Sequence, residues 1–83
     1  MVFLIKQVHT PETCPRDEGG VKALYDPKAK GIKLKAIYGN FGRHITYYIV
    51  EADDVDAVDD FLGPGWLRCT STVTPVSELD VDK

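Results

Sequence analysis

Two histidines and two cysteines are the side chains of this sequence best suited to bind a transition metal ion. They are His9, Cys14, His44 and Cys69. Imidazole nitrogen and thiolate sulfur both coordinate soft or borderline ions such as Zn²⁺ and copper. The four residues lack the local spacing of a zinc motif, so they form a site only if the fold brings them together. Otherwise the histidines are ordinary strand-end residues, and the cysteines are small packing residues.

His9 is also the residue best suited to act as a general acid or base. Its imidazole titrates near neutral pH, and Gln7 would share its face of a strand and could orient a substrate. Four aromatic side chains could line an apolar pocket for an aromatic or other carbon-rich ligand. They are Tyr38, Tyr47, Tyr48 and Trp66. Ordinary core packing explains the same four rings, since aromatic residues dominate the core of any small domain.

Alternating apolar residues predict four strands, which must position these groups. The predicted strands are Val2–His9, Ile32–Tyr38, His44–Ala52 and Trp66–Val76. The first and third carry apolar residues on both faces, which predicts central positions in a sheet. The second and fourth each have a polar face, which is typical of edge strands.

Two helices are predicted between the strands. Arg16–Tyr25 has helical apolar spacing but contains two adjacent glycines, which disfavour a helix. Asp53 caps a second helix, which ends before Gly63-Pro64-Gly65. Residues 39–42 form a turn, to which we assign no ligand role. The predicted element order is therefore βαββαβ.

Right-handed crossovers place these strands in an antiparallel sheet of order 4-1-3-2, the ferredoxin-like arrangement of an α+β protein. In that order the ends of strands one and two meet the starts of strands three and four. This end of the sheet collects both histidines, both cysteines, Tyr38 and Trp66. Two helices cover one face of the sheet, so we expect a second copy of the chain to cover the other about a two-fold axis.

Length and composition exclude several classes of protein. The 83 residues predict one domain over 1–83, with an extended acidic tail over 77–83. The net charge of -3 leaves no basic face for nucleic acid. No apolar run approaches the roughly 20 residues of a membrane span, and the apolar start is too short for a signal peptide. Two cysteines do not fit a disulfide-rich secreted scaffold, so we expect a cytoplasmic protein that uses no membrane.

The chain also resembles a known group of proteins. Its first strand leads into His-Thr-Pro-Glu-Thr-Cys-Pro, and its last contains Cys-Thr-Ser-Thr-Val-Thr-Pro-Val. In these features it resembles a family of small proteins in the dimeric α+β barrel superfamily, akin to GYD-type domains and distantly to muconolactone isomerases and antibiotic-biosynthesis monooxygenases. The resemblance covers nearly the whole chain. It implies two ferredoxin-like subunits paired into a barrel, but no one activity, because such barrels include enzymes and ligand binders.

Three hypotheses follow for function. In the first, a homodimeric barrel binds a small molecule or a soft metal ion, zinc or copper, near His9. In the second, the protein is a small isomerase or cofactor-independent oxygenase that uses His9 as acid or base on an apolar substrate. In the third, it is a structural subunit of a larger assembly. The sequence leaves open whether the protein is an enzyme and whether it uses a cofactor.

Overall fold

The computed structural model describes residues 1–14, 19–40 and 42–80, and its centre is a four-stranded antiparallel sheet. The strands are β1 (Val2–His9), β2 (Ile32–Asn40), β3 (Ile45–Ala52) and β4 (Cys69–Val76). Their order is β2-β3-β1-β4, which reads 4-1-3-2 from the opposite edge. The two strands with apolar residues on both faces are central, and the two with polar faces are at the edges, as their sequences predict.

The sheet has one covered face and one outer face. Along β1, Phe3, Ile5 and Gln7 are buried, whereas Leu4 and Lys6 are exposed. The register pairs β1 with β3 so that buried residues stand opposite buried residues, as successive side chains alternate between faces. The hydrophobic core therefore lies on one side of the sheet.

The one α-helix of the described residues, α1 (Val55–Leu62), packs on the covered face. The Asp54 carboxylate accepts a hydrogen bond of 2.9 Å from the Ala57 amide, so the cap is one residue after the predicted Asp53. The buried residues of the helix are Val58, Phe61 and Leu62. The predicted stop at Gly63–Gly65 forms a 3₁₀ turn. No helix in the described ranges is long and apolar enough to cross a membrane.

The first predicted helix is wrong over the part of it that the structure describes. Residues Gly20–Ala23 form a 3₁₀ turn, preceded by another at Pro11–Thr13. Gly19 and Gly20 have φ angles of 109° and 72°, which lie outside the right-handed helical region. Residues 16–18 of the predicted helix lie outside the described residues, as do Phe41 of the predicted turn and the end of the tail, residues 81–83.

An irregularity in β2 changes which of its side chains face the core. Leu34 pairs with Val50, but the next aligned pair is Ala36 with Ile49, so a β-bulge lies between Leu34 and Ala36. Beyond this point the side chains have changed faces. The alternating sequence Ile32–Tyr38 predicts one face for Leu34 and Tyr38, and the bulge places them on opposite faces, so that prediction is wrong.

A buried amide joins the sheet to the segment before β2. The Tyr48 hydroxyl donates a 2.6 Å hydrogen bond to Gln7 Oε1, and Gln7 Nε2 donates one of 3.1 Å to the Leu24 carbonyl. Gly65 packs directly on this pair, because a Cβ atom there would lie 2.7 Å from both Gln7 Nε2 and the Leu24 oxygen. Only glycine fits at that position without displacing the amide.

Replacing Gly65 with alanine should therefore destabilise the fold. We expect Gly65→Ala to lower the free energy of unfolding by about 1–3 kcal/mol, since the added methyl group overpacks the amide or breaks its hydrogen bonds. Gly63→Ala is the matched control, because no atom lies within 4 Å of a Cβ there, and it should change stability by less than about 0.5 kcal/mol. Urea denaturation measures both. Equal stabilities of the two variants would contradict the close packing.

Candidate metal-binding site

Three donor side chains meet where β1 ends and β3 begins. A nitrogen of His9, a nitrogen of His44 and the Cys14 Sγ all lie within 4.8 Å of one another. His44 Nδ1 is 3.2 Å from His9 Nε2. Two imidazole nitrogens bound to one tetrahedral zinc ion lie about 3.3 Å apart, and a nitrogen and a sulfur about 3.6 Å apart. The imidazole pair already has nearly this spacing, and Cys14 needs to approach by only about 1 Å at most.

Cys14 reaches the histidines because the chain turns sharply after β1. Pro11 cannot continue the ladder of hydrogen bonds, and residues Pro11–Thr13 form the 3₁₀ turn. The Thr10 amide donates a 3.0 Å hydrogen bond to Thr13 Oγ1, and the Thr13 amide donates one of 3.1 Å to the Thr10 carbonyl. This closed turn holds Cys14 beside the strand end.

His44 is placed by an unusual backbone conformation. Its φ angle of 56° is left-handed, and among the described residues it is the only non-glycine with a positive φ. The His9 amide donates a 3.1 Å hydrogen bond to the His44 carbonyl and so fixes this turn against β1. The two rings meet edge to face, with centroids 5.0 Å apart. A left-handed residue costs roughly 1 kcal/mol, and such strain recurs at functional sites.

His9 has an unsatisfied buried atom. Its Nδ1 has no exposed surface and no hydrogen-bond partner in the described part of the chain. Desolvation, and secondarily the charge of His44, lower the pKa of His9 below 6.5. The ring is therefore neutral at neutral pH, and in the tautomer that carries the proton on Nδ1 the lone pair of Nε2, which faces His44, is available to a metal ion. If Nε2 carries the proton, Nδ1 is an unpaired acceptor, and in the other tautomer Nδ1 is an unpaired donor.

A cavity of about 440 Å³ opens beside the three donors. Its remaining wall includes the apolar side chains of Val21, Leu24 and Ile45, together with Gly39, Asn40 and Thr46. Sequence patterns do not predict that these residues line a cavity. They predict a turn with no ligand role over residues 39–42, and they place Val21 and Leu24 on a helix instead of on or next to the 3₁₀ turn. No local motif identifies these residues.

Cys69, the fourth predicted metal ligand, is not part of the cluster. It stands directly opposite His9 in the register of β1 and β4, so the two residues share the covered face. It lines a separate cavity of about 250 Å³ with Asp59 and Trp66. Burial raises the pKa of its thiol, which therefore stays protonated at neutral pH. The structure thus brings together three of the four predicted ligands.

Gln7 does not have the substrate-orienting geometry predicted for it. The residue is fully buried, and both ends of its amide are hydrogen-bonded, to Tyr48 and to the Leu24 carbonyl. A side chain buried in this way is out of reach of a substrate. Its position two residues before His9 predicts the shared face but not the depth of burial.

The four predicted pocket aromatics do not gather at the larger cavity. Tyr48 is fully buried in the core, where it packs against Tyr25 and Phe61. Tyr38 and Tyr47 are register partners on the outer face, with Tyr38 62% exposed. Trp66 donates a 3.2 Å hydrogen bond to the Asp59 carbonyl and lines the smaller cavity. Ordinary core packing, the alternative explanation of these rings, therefore applies to Tyr48.

No protein-family model matches this chain, and no curated protein or solved structure is significantly similar to it. The resemblance to dimeric α+β barrel proteins therefore stays a prediction. Function has to be argued from the site itself, because one fold supports many activities.

The lowered pKa of His9 makes the stability of the metal-free protein depend on pH. Between pH 6.5 and the lower folded-state pKa, the unfolded chain binds more protons than the folded chain, so the free energy of unfolding falls as the pH falls. We expect this loss to begin as the pH falls below about 6.5, above the range in which carboxylates titrate. Denaturation in the presence of a chelator measures it. His9→Gln should flatten this part of the curve, and an unchanged slope in that variant would contradict the assignment.

Proposed function

We propose that the protein binds a borderline or soft transition metal ion, zinc or copper, through His9, Cys14 and His44. One observation carries the proposal: two imidazoles and a thiol from three separate parts of the chain converge within 4.8 Å. Strand β1, the turn after it and the loop before β3 each supply one donor. The left-handed backbone of His44, which sets its ring against His9, also supports a functional site there.

The donor set selects the class of metal. Two nitrogens and one sulfur suit zinc and copper, whereas magnesium and calcium prefer oxygen ligands. A neutral His9 binds without first losing a proton, and the Cys14 thiol would release its proton when the ion binds. Three protein ligands beside a cavity leave a fourth position for water or a small molecule, which is the usual arrangement of a functional zinc site and not of a closed structural one.

The geometry supports a cofactor-independent enzyme less well. An acid or base must have a nitrogen within hydrogen-bond reach of its substrate. His9 Nε2 faces His44, its Nδ1 is shielded, and the Gln7 amide is fully buried in the core. Metal binding accounts for the paired imidazoles and for the nearby thiol, which the acid-base hypothesis leaves without a role.

Metal binding can be tested with matched cysteine variants of the tag-free protein. We expect one Zn²⁺ per chain, measured by competition with a chromophoric chelator. Cys14→Ser should weaken zinc binding by at least about 100-fold, since losing a direct ligand costs more than the 10- to 100-fold typical of outer-shell changes. Cys69→Ser should leave the affinity nearly unchanged, because Cys69 lies outside the cluster.

His44→Asn provides the corresponding test of the imidazole pair. Asparagine tolerates the left-handed backbone, so this variant should fold while losing zinc affinity by a similar factor. The proposal would be overturned by equal effects of the two cysteine variants, or by zinc affinity that is unchanged in both Cys14→Ser and His44→Asn.

We also propose that the outer face of the sheet pairs with a second copy of the chain. The central strands present Leu4, Tyr47 and Ile49 on this face, while α1 packs on the other. Three strands of eight residues and one of nine give a footprint of roughly 500 Å², slightly below the about 600 Å² per side at which stable interfaces begin. Lys6 and Glu51 supply charges of both signs on the same face, which a two-fold pairing can match.

A charge at the centre of this face should separate the subunits. We expect the native mass of the protein to be twice the 9.2 kDa of one chain, and Leu4→Glu to reduce it to that of one chain. Leu67→Glu is the matched control, because Leu67 is 99% exposed in the loop before β4 and should leave the dimer intact. Native mass spectrometry distinguishes these outcomes. A wild-type monomer would refute the pairing.

A further inference from the structure

We infer that the fourth position of the bound metal takes a small organic anion with an apolar body, of the class of short-chain carboxylates. The inference rests on the proposed metal site and adds the chemistry of its ligand. It is drawn from the cavity beside the three donors and from the charge that those donors leave on the ion.

The size and wall of the cavity indicate the body of the ligand. A volume of about 440 Å³ falls within the roughly 300–1,000 Å³ of small-molecule sites. Val21 and Ile45, both partly exposed, contribute apolar side chains to the lining that the donors share. A ligand that coordinates the metal with one end would therefore lay hydrocarbon against these side chains and gain from removing both surfaces from water.

The charge of the site indicates the head of the ligand. One thiolate and two neutral imidazoles leave a divalent ion with one uncompensated positive charge. Among the described residues that line the cavity there is no carboxylate. Glu12 interacts with the charge of His44, but it is fully exposed and outside the lining. A monoanion from solution would neutralise the ion in a partly apolar surrounding, where an unpaired charge is costly.

Asn40 and Thr46 provide polar atoms at the same wall. Both residues line the cavity, Asn40 at the end of β2 and Thr46 within β3. Thr46 is a polar residue with only 2% exposure, and its side chain has no hydrogen bond among those found in the described residues. A hydroxyl and an amide on the lining of this cavity suit the second oxygen of a carboxylate whose first oxygen binds the metal.

The test titrates zinc-loaded protein with acetate, butyrate and hexanoate by calorimetry. Each added methylene should tighten binding roughly fourfold, so hexanoate should bind about 15-fold more tightly than butyrate. Hexan-1-ol, which has the same body without the charge, should bind at least tenfold more weakly than hexanoate. Affinity that does not depend on chain length, or equal binding of hexanol, would overturn the inference.

A matched pair of valine variants locates the ligand. Val21→Phe fills the cavity and should weaken hexanoate at least tenfold, whereas Val55→Phe, at an exposed position of α1, should have no effect. Equal affinities in the two variants would place hexanoate elsewhere. Glu12→Gln should leave hexanoate binding unchanged, and tighter binding in that variant would show that Glu12 itself occupies the fourth position.

Cobalt substitution separates failure of this inference from failure of the metal site. Co²⁺ bound by Cys14 gives a thiolate-to-metal absorption band, and its visible bands respond when the fourth ligand changes. Without the thiolate band, the proposed function fails. If the band is present but hexanoate leaves the visible spectrum unchanged, the metal site stands and the inference about its ligand is overturned.

Discussion

The rest of the structure depends on the buried amide of Gln7. Burying an amide without partners costs several kcal/mol, so the Tyr48 hydroxyl and the Leu24 carbonyl must both stay in place. Burial also raises the pKa of Tyr48, whose hydroxyl therefore remains a donor. This one side chain connects β1, β3 and the segment before β2. That segment contains no α-helix among its described residues and gains its position from the amide and from burying Leu24 and Tyr25.

The amide also explains where the cavity is. Leu24 is held by Gln7, and Val21 is three residues before it, so the bond that satisfies the core also sets the apolar wall of the candidate site. Gln7 and His9 follow one another on the same face of β1, yet they differ in one respect. Every polar group of the Gln7 amide has a partner, whereas His9 keeps an unpaired buried nitrogen. Native proteins tolerate few such atoms, so the strand end at His9 is less completely satisfied than the core around Gln7.

The sequence predicts the sheet, its order and the end at which the donors meet, because these follow from alternation of apolar residues and from general rules of connection. It does not predict the bulge near Ala36, which depends on pairing with β3. It overestimates the first helix, since Gly19 and Gly20 adopt left-handed angles that no helical spacing reveals. It includes Cys69 with the ligands because topology specifies a strand end only to within several ångströms, whereas coordination requires donors within about 4 Å.

A metal ion bound at this position would add stability to a small domain that buries only a modest hydrophobic core. The three donors lie at the end of β1, after the turn that follows it, and in the loop before β3, and they are His9, Cys14 and His44. The end of β1 and this loop are also joined by the hydrogen bond from the His9 amide to the His44 carbonyl. Binding would cross-link all three and stabilise the folded state by mass action, by about 2.7 kcal/mol at a concentration 100 times the dissociation constant. The described core cluster contains none of the three donors, so metal would strengthen a fold that has a core of its own, in contrast to a zinc finger. Donors that already lie close together lose little entropy when the ion binds. Because they number three, the fourth position of a tetrahedral ion stays open to a ligand.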